Sequence, residues 1–121
     1  MSFDLAVMHV EEPINEERAV KIYHALCEGD YEVLPPGENV ERFYQELTAQ
    51  YPDLDQLSDD EAEDSPWSDS LDVSDGAVVM CIRWSRADDM AAFVKGLAAK
   101  HGLACYDPQE DVMHLPPSLF S

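Results

Sequence analysis

"WSDSLDVSDGAVVMCIRW", residues 67–84, decides the fold. Its second half, AVVMCIRW (77–84), is a short apolar run rich in β-branched residues and is the strongest strand signal in the chain. Ser74-Asp75-Gly76 is a turn, and residues 67–73 alternate weakly between apolar and polar. Strand, turn and strand make a β-hairpin, so the sheet has an antiparallel pair.

Working outward, Ser85 with Asp88 three residues on reads as a capping box opening a helix. The core face of that helix is Met90, Phe93, Val94, Leu97, Ala98 and His101, with Lys100 in the last turn and Gly102 as the stop. LACY (103–106) is a further strand, and residues 107–121 read as a C-terminal tail. Upstream, FDLAVMHV (3–10) is apolar on both alternating faces, as suits a strand deep in a sheet. Asn15 is placed to cap a helix with Ala19, Ile22, Tyr23, Leu26 and Cys27 on its apolar side, ended by Gly29. A second helix carries the stripe Val40, Phe43, Tyr44, Leu47 and Tyr51 and ends before Pro52. The expected order is β-α-α-β-β-α-β. It defines an α+β fold, a four-stranded, mostly antiparallel sheet with helices packed on one face, a variant of the ferredoxin-like plan. Residues 1–121 are read as a single domain with an acidic loop at 53–66.

Charge is the main functional signal. The net charge is −19, and the stretch Asp53–Asp75 has ten Asp or Glu and no Lys or Arg. Such a surface repels nucleic acid and anionic membrane and attracts basic partners. Trp67 stands in the middle of these acids. It has two readings: an interface anchor ringed by polar contacts, or a core residue folded back on the sheet. The interface reading is adopted here, with Asp59, Asp60, Glu61, Glu63, Asp64, Trp67 and Asp69 as the partner-binding residues.

Catalytic and metal patterns are weaker. Cys105 with His101 offers a thiol beside an imidazole, but no oxyanion motif or third orienting group accompanies them. Cys27, Cys81 and Cys105 all lie in apolar stretches and read as small buried hydrophobes. No pair of Cys or His has zinc-ligand spacing. His9 and His24 read as surface residues of a strand and a helix. Asp53, Asp55, Asp59 and Asp64 take positions 1, 3, 7 and 12 of a calcium loop, but Ser58 stands where the turn needs glycine. No cofactor, no metal and no catalytic activity are expected. The opening MSFDLAVMHVEE has neither the basic region nor the apolar core of a signal peptide, so a cytoplasmic protein is expected.

MSFDLAV (1–7), YPDLDQ (51–56), DSPW (64–67), RWSRADDM (83–90) and HGLACYDPQ (101–109) resemble, in order, a family of small acidic bacterial proteins. Its members open with a variant of MSYDLAVW and close with a variant of HGLVCYDPQ. The chain departs from that pattern at Met8, where the family shows tryptophan, and in its richer acidic insert. Small acidic proteins of this style accompany polymorphic toxins as immunity proteins. The resemblance therefore implies an immunity protein, or antitoxin, that occludes a cognate toxin with a basic active-site surface. An acidic nucleic-acid mimic or regulatory adaptor, and a small enzyme using Cys105, are the alternatives.

Overall fold

A computed structural model describes residues 3–117. The chain runs β1 (Phe3–Met8), α1 (Glu16–Cys27), α2 (Glu38–Gln50), α3 (Asp59–Glu63), β2 (Asp72–Val73), β3 (Ala77–Ile82), α4 (Ala87–Lys100), β4 (Ala104–Asp107) and β5 (Val112–His114). Short 3₁₀ turns lie at Tyr31–Val33, Leu54–Gln56 and Trp84–Arg86. The fold is α+β, with an antiparallel sheet in the order β2-β3-β1-β4-β5. β1 and β2 run parallel to each other with β3 between them, the split form of a crossover unit.

Three expectations are corrected. The sheet has five strands, not four, and the element order gains α3 and β5. β5 lies inside the expected tail: Asp111 takes a left-handed φ of 54°, and the chain turns back to pair Val112 with Asp107. Residues 118–121 of that tail lie outside the described residues. The helices cover both faces of the sheet, not one. Leu5 and Val7 of β1 pack with Val40, Phe43 and Leu47 of α2 and Met90 and Val94 of α4. Ala6 and Met8 point the other way, onto Ala19, Ile22 and Leu26 of α1. A strand apolar on both alternating faces needs both covered, because each buried aliphatic side chain contributes roughly 1.5–3 kcal/mol.

Local signals explain most boundaries. The Asn15 side chain accepts from the Arg18 N–H at 3.0 Å and starts α1, and Gly29 at φ 87° follows its end. The box expected at Ser85 and Asp88 does not form. A 3₁₀ turn runs into α4 instead, and Arg86 pairs with Asp89 at 3.0 Å. The 74–77 turn closes with Ser74 N–H donating to Ala77 O at 2.9 Å. Gly76 is required there by crowding: a Cβ would stand 2.7 Å from the Pro35 carbonyl oxygen. The turn is held from outside, since His9 N–H donates to Gly76 O at 2.8 Å and Gly37 N–H to Asp75 O at 3.0 Å.

Candidate binding surface

The acidic segment is a folded ledge, not the loop expected over 53–66. Its first residue, Asp53, is buried; its carboxylate accepts from the Tyr44 hydroxyl at 2.9 Å and from the Leu71 N–H at 3.2 Å. Asp55 accepts from the Ser70 hydroxyl at 2.8 Å. Ser58 then caps α3 in a reciprocal box: its hydroxyl accepts from Glu61 N–H at 3.3 Å, and the Glu61 carboxylate accepts from Ser58 N–H at 3.0 Å. That bond from the Ser58 backbone holds the Glu61 carboxyl below the usual range. Asp59 and Asp60, in the first turn, face the positive end of the helix dipole. The S-x-x-E signal of this box stands in the sequence as Ser58-Asp59-Asp60-Glu61 and was missed beneath the charge run.

Arg83 fixes the other end of α3. Its guanidinium donates to the carbonyls of Ala62 at 3.0 Å, Glu63 at 3.1 Å and Trp67 at 3.3 Å. Among the described residues Arg83 thus meets backbone carbonyls and forms no ion pair with a carboxylate of this helix. Other bases are engaged elsewhere: Lys21 with Glu17, Arg42 with Glu38, Arg86 with Asp89 and Lys100 with Glu46. Among the described residues, no ion pair involves α3. Asp59, Asp60, Glu61, Glu63 and Asp64 are all exposed along one short element, and Asp69 is exposed beyond it, where it accepts from Ser70 N–H at 2.8 Å.

Trp67 is not part of that surface, which corrects its reading as an interface anchor. It is 0% exposed, its indole N–H donates to the Tyr51 carbonyl at 3.1 Å, and it forms an isolated bridge with Ile82. The exposed tryptophan is Trp84, at 49%, packed edge-on to Phe3 with centroids 5.6 Å apart. It follows Arg83 at the end of β3 that also anchors the chain after α3, through Arg83 N–H to Pro66 O at 2.8 Å.

The chemistry considered for the histidines and cysteines does not assemble. Burial pushes the Cys105 thiol up to about 12, which leaves essentially no thiolate near neutral pH. The His101 ring is used elsewhere, with Nε2 3.2 Å from a Glu46 oxygen and its edge against Phe43. Cys27 is exposed and Cys81 half-buried, so the expectation of three core thiols holds for Cys105 only. His9, expected on the surface, is half-buried; its Nδ1 and the Oδ1 of Asn39 are buried without a hydrogen-bond partner among the described residues. The calcium pattern of Asp53, Asp55, Asp59 and Asp64 does not converge: among the described residues no three His, Cys, Asp or Glu are grouped to hold a metal. Nor does any described helix have the length and apolarity to cross a membrane.

No family model, curated protein or solved structure matches the chain, so the surface is read from its own geometry.

Proposed function

We propose that this is a binding protein whose acidic ledge covers a basic surface on a protein partner, in the manner of an immunity protein that neutralises a cognate bacterial toxin in the cytoplasm. One observation carries the reading: Arg83 spends its guanidinium on the carbonyls of Ala62, Glu63 and Trp67, and none of the ion pairs among the described residues uses a carboxylate of α3. A charge run that serves solubility alone has no need of a capped, clamped helix. A rigid one presents its charges without the ordering cost that a loop incurs on binding. Asp59, Asp60, Glu61, Glu63 and Asp64 would steer association with the cationic patch by which a nuclease or nucleotide-using toxin holds phosphate. Trp84 takes over the aromatic role that Trp67 cannot fill, because it is exposed at the same end of β3. The reading requires no cofactor, no direct nucleic-acid contact and no membrane.

The test is co-expression of this chain with the product of the gene beside it in the host. Growth arrest by that product, relieved by this chain and no longer relieved when the five ledge acids become Lys, is the expected result. A harmless neighbour, or relief indifferent to the charge reversal, overturns the proposal. A neighbour that proves to be a DNA-binding protein displaced from DNA would favour the nucleic-acid mimic.

A further inference from the structure

Between α2 and the edge strand β2 lies a cleft of about 660 Å³, lined by Pro36, Val40, Tyr44 and Val73, with Glu38, Glu41 and Asp75 around it. Hydrogen bonds tie its two walls together at both ends. At one, Gly37 N–H donates to Asp75 O at 3.0 Å; at the other, the Asp53 carboxylate joins the Tyr44 hydroxyl to the Leu71 N–H. The cleft is thus a preformed slot, not a gap between independently moving parts.

The backbone of the β2 wall is ready to pair. Ser74 donates to Ala77, and Val73 is opposite Val78 in the next register position. Hydrogen-bonded and non-hydrogen-bonded pairs alternate in an antiparallel ladder, so the N–H and C=O of Val73 point away from β3 to the open edge. Leu71, two residues earlier, points the same way, and there the Asp53 carboxylate takes its N–H as an incoming strand would. Val73 is the next such position, and its side chain is 43% exposed.

We propose that this slot docks an extended segment of a protein partner in which an apolar residue is flanked, two positions to either side, by Lys or Arg. The segment adds to β2 at Val73. Because strand side chains alternate, its apolar residue and the cations two residues to either side share one face, which buries the apolar group against Val40 and Tyr44 and sets the cations against Glu38, Glu41 and Asp75. Charge complementarity selects this occupant: Arg42 beside Glu38, at 3.2 Å and largely exposed, is the cation that it would displace or share. The surface is separate from α3 and stands or falls independently of the ledge.

The experiment is an amide chemical-shift titration of the whole chain with the blocked peptide Lys-Ser-Val-Ser-Lys, using Lys-Ser-Gly-Ser-Lys as an equally charged control. Saturable shifts at Val40, Glu41, Tyr44 and Val73, with slowed exchange of the Val73 amide, are expected. Binding should weaken about tenfold for the glycine peptide and for Val73→Lys or Glu41→Lys, both changes at exposed positions. It should persist when the five α3 acids are neutralised to Asn or Gln. Equal binding of the two peptides, shifts centred on α3, or no shift at millimolar peptide would each overturn the proposal.

Discussion

The indole N–H of Trp67 donates to the backbone carbonyl of Tyr51 at 3.1 Å, joining the end of α2 to the stretch that enters the hairpin. Between these residues lies the whole acidic ledge, so this one bond closes the base of a segment whose charges repel one another. Trp67→Ala should cost about 3–5 kcal/mol of folding stability by thermal or denaturant melting. Trp67→Phe should cost less but leave the Tyr51 carbonyl unpaired, for about 1–3 kcal/mol. A stable Trp67→Ala with weakened partner binding would return the residue to an interface role.

Arg83 acts on the ledge from the opposite side. A helix as short as Asp59–Glu63 does not persist alone in water and depends on its caps and tertiary ties. Arg83→Lys keeps the charge and loses the fork that reaches three carbonyls at once. Amide exchange within residues 59–64 should then accelerate at least several-fold, while β3 and β1 remain protected. Unchanged exchange across α3 would mean that the Ser58 box suffices by itself.

Hydroxyl-to-carboxylate pairs predict a response to alkali. Burial and a donated hydrogen bond hold the phenols of Tyr44 and Tyr106 up to about 12, with Asp53 and Asp111 as acceptors, and burial with the Asp4 charge also raises Tyr23. A phenol raised above its unfolded value near 10 favours the fold while protonated. That contribution is complete below about pH 10 and is lost as pH climbs towards 12. Stability should therefore fall across this window, with a late ultraviolet phase for phenol ionisation that Tyr44→Phe diminishes. A single ionisation phase with its midpoint near pH 10 and the fold intact would contradict it.

The thiols divide by burial. Cys27 is exposed and should react with iodoacetamide in the native state, whereas Cys105 should react only on unfolding. Rapid native labelling of Cys105 that abolishes an activity would revive the nucleophile.

Legibility followed how local the cause of each element is. β3 and the 74–76 turn were readable because Ala77–Ile82 carries its own apolar run beside its own turn residues. α1 and α2 were readable from the Asn15 cap and from Val40, Phe43 and Leu47 at helical spacing. β5 was not, because three residues become a strand only through pairing with β4 and through Glu16, whose carboxylate accepts from the Met113 N–H at 3.0 Å across the fold. The environments of the two tryptophans were hidden for a related reason. Neither sequence neighbourhood reveals that the Tyr51 carbonyl lies within reach of one indole, or that Phe3 packs edge-on beside the other. The ledge acids were legible as charge, but the helix that carries them is tied down by Arg83, a residue outside the run.

The DPQ run at 107–109 ties β4 to β1 through side chains. Asp107 is buried, and one of its oxygens accepts from the Gln109 N–H at 3.0 Å and the Gln109 side-chain amide at 2.6 Å. Gln109 is thereby aimed at β1, where its Oε1 accepts from Asp4 N–H at 2.6 Å and its Nε2 donates to Asp4 O at 2.8 Å. A side-chain amide thus imitates one rung of the ladder beside the last β1–β4 pair, Ala6 with Tyr106. Gln109→Ala should remove that rung for about 0.5–1.5 kcal/mol per bond lost. Gln109→Glu, nearly the same shape, should be worse, because a carboxylate cannot donate to Asp4 O and would face the buried Asp107 charge. The order of melting temperatures expected is wild type, then Gln109→Ala, then Gln109→Glu, and the gap between the two variants should narrow at acid pH as the new carboxyl protonates and regains a donor. Gln109→Glu melting like wild type at neutral pH would show that the amide does not bridge β1 in solution.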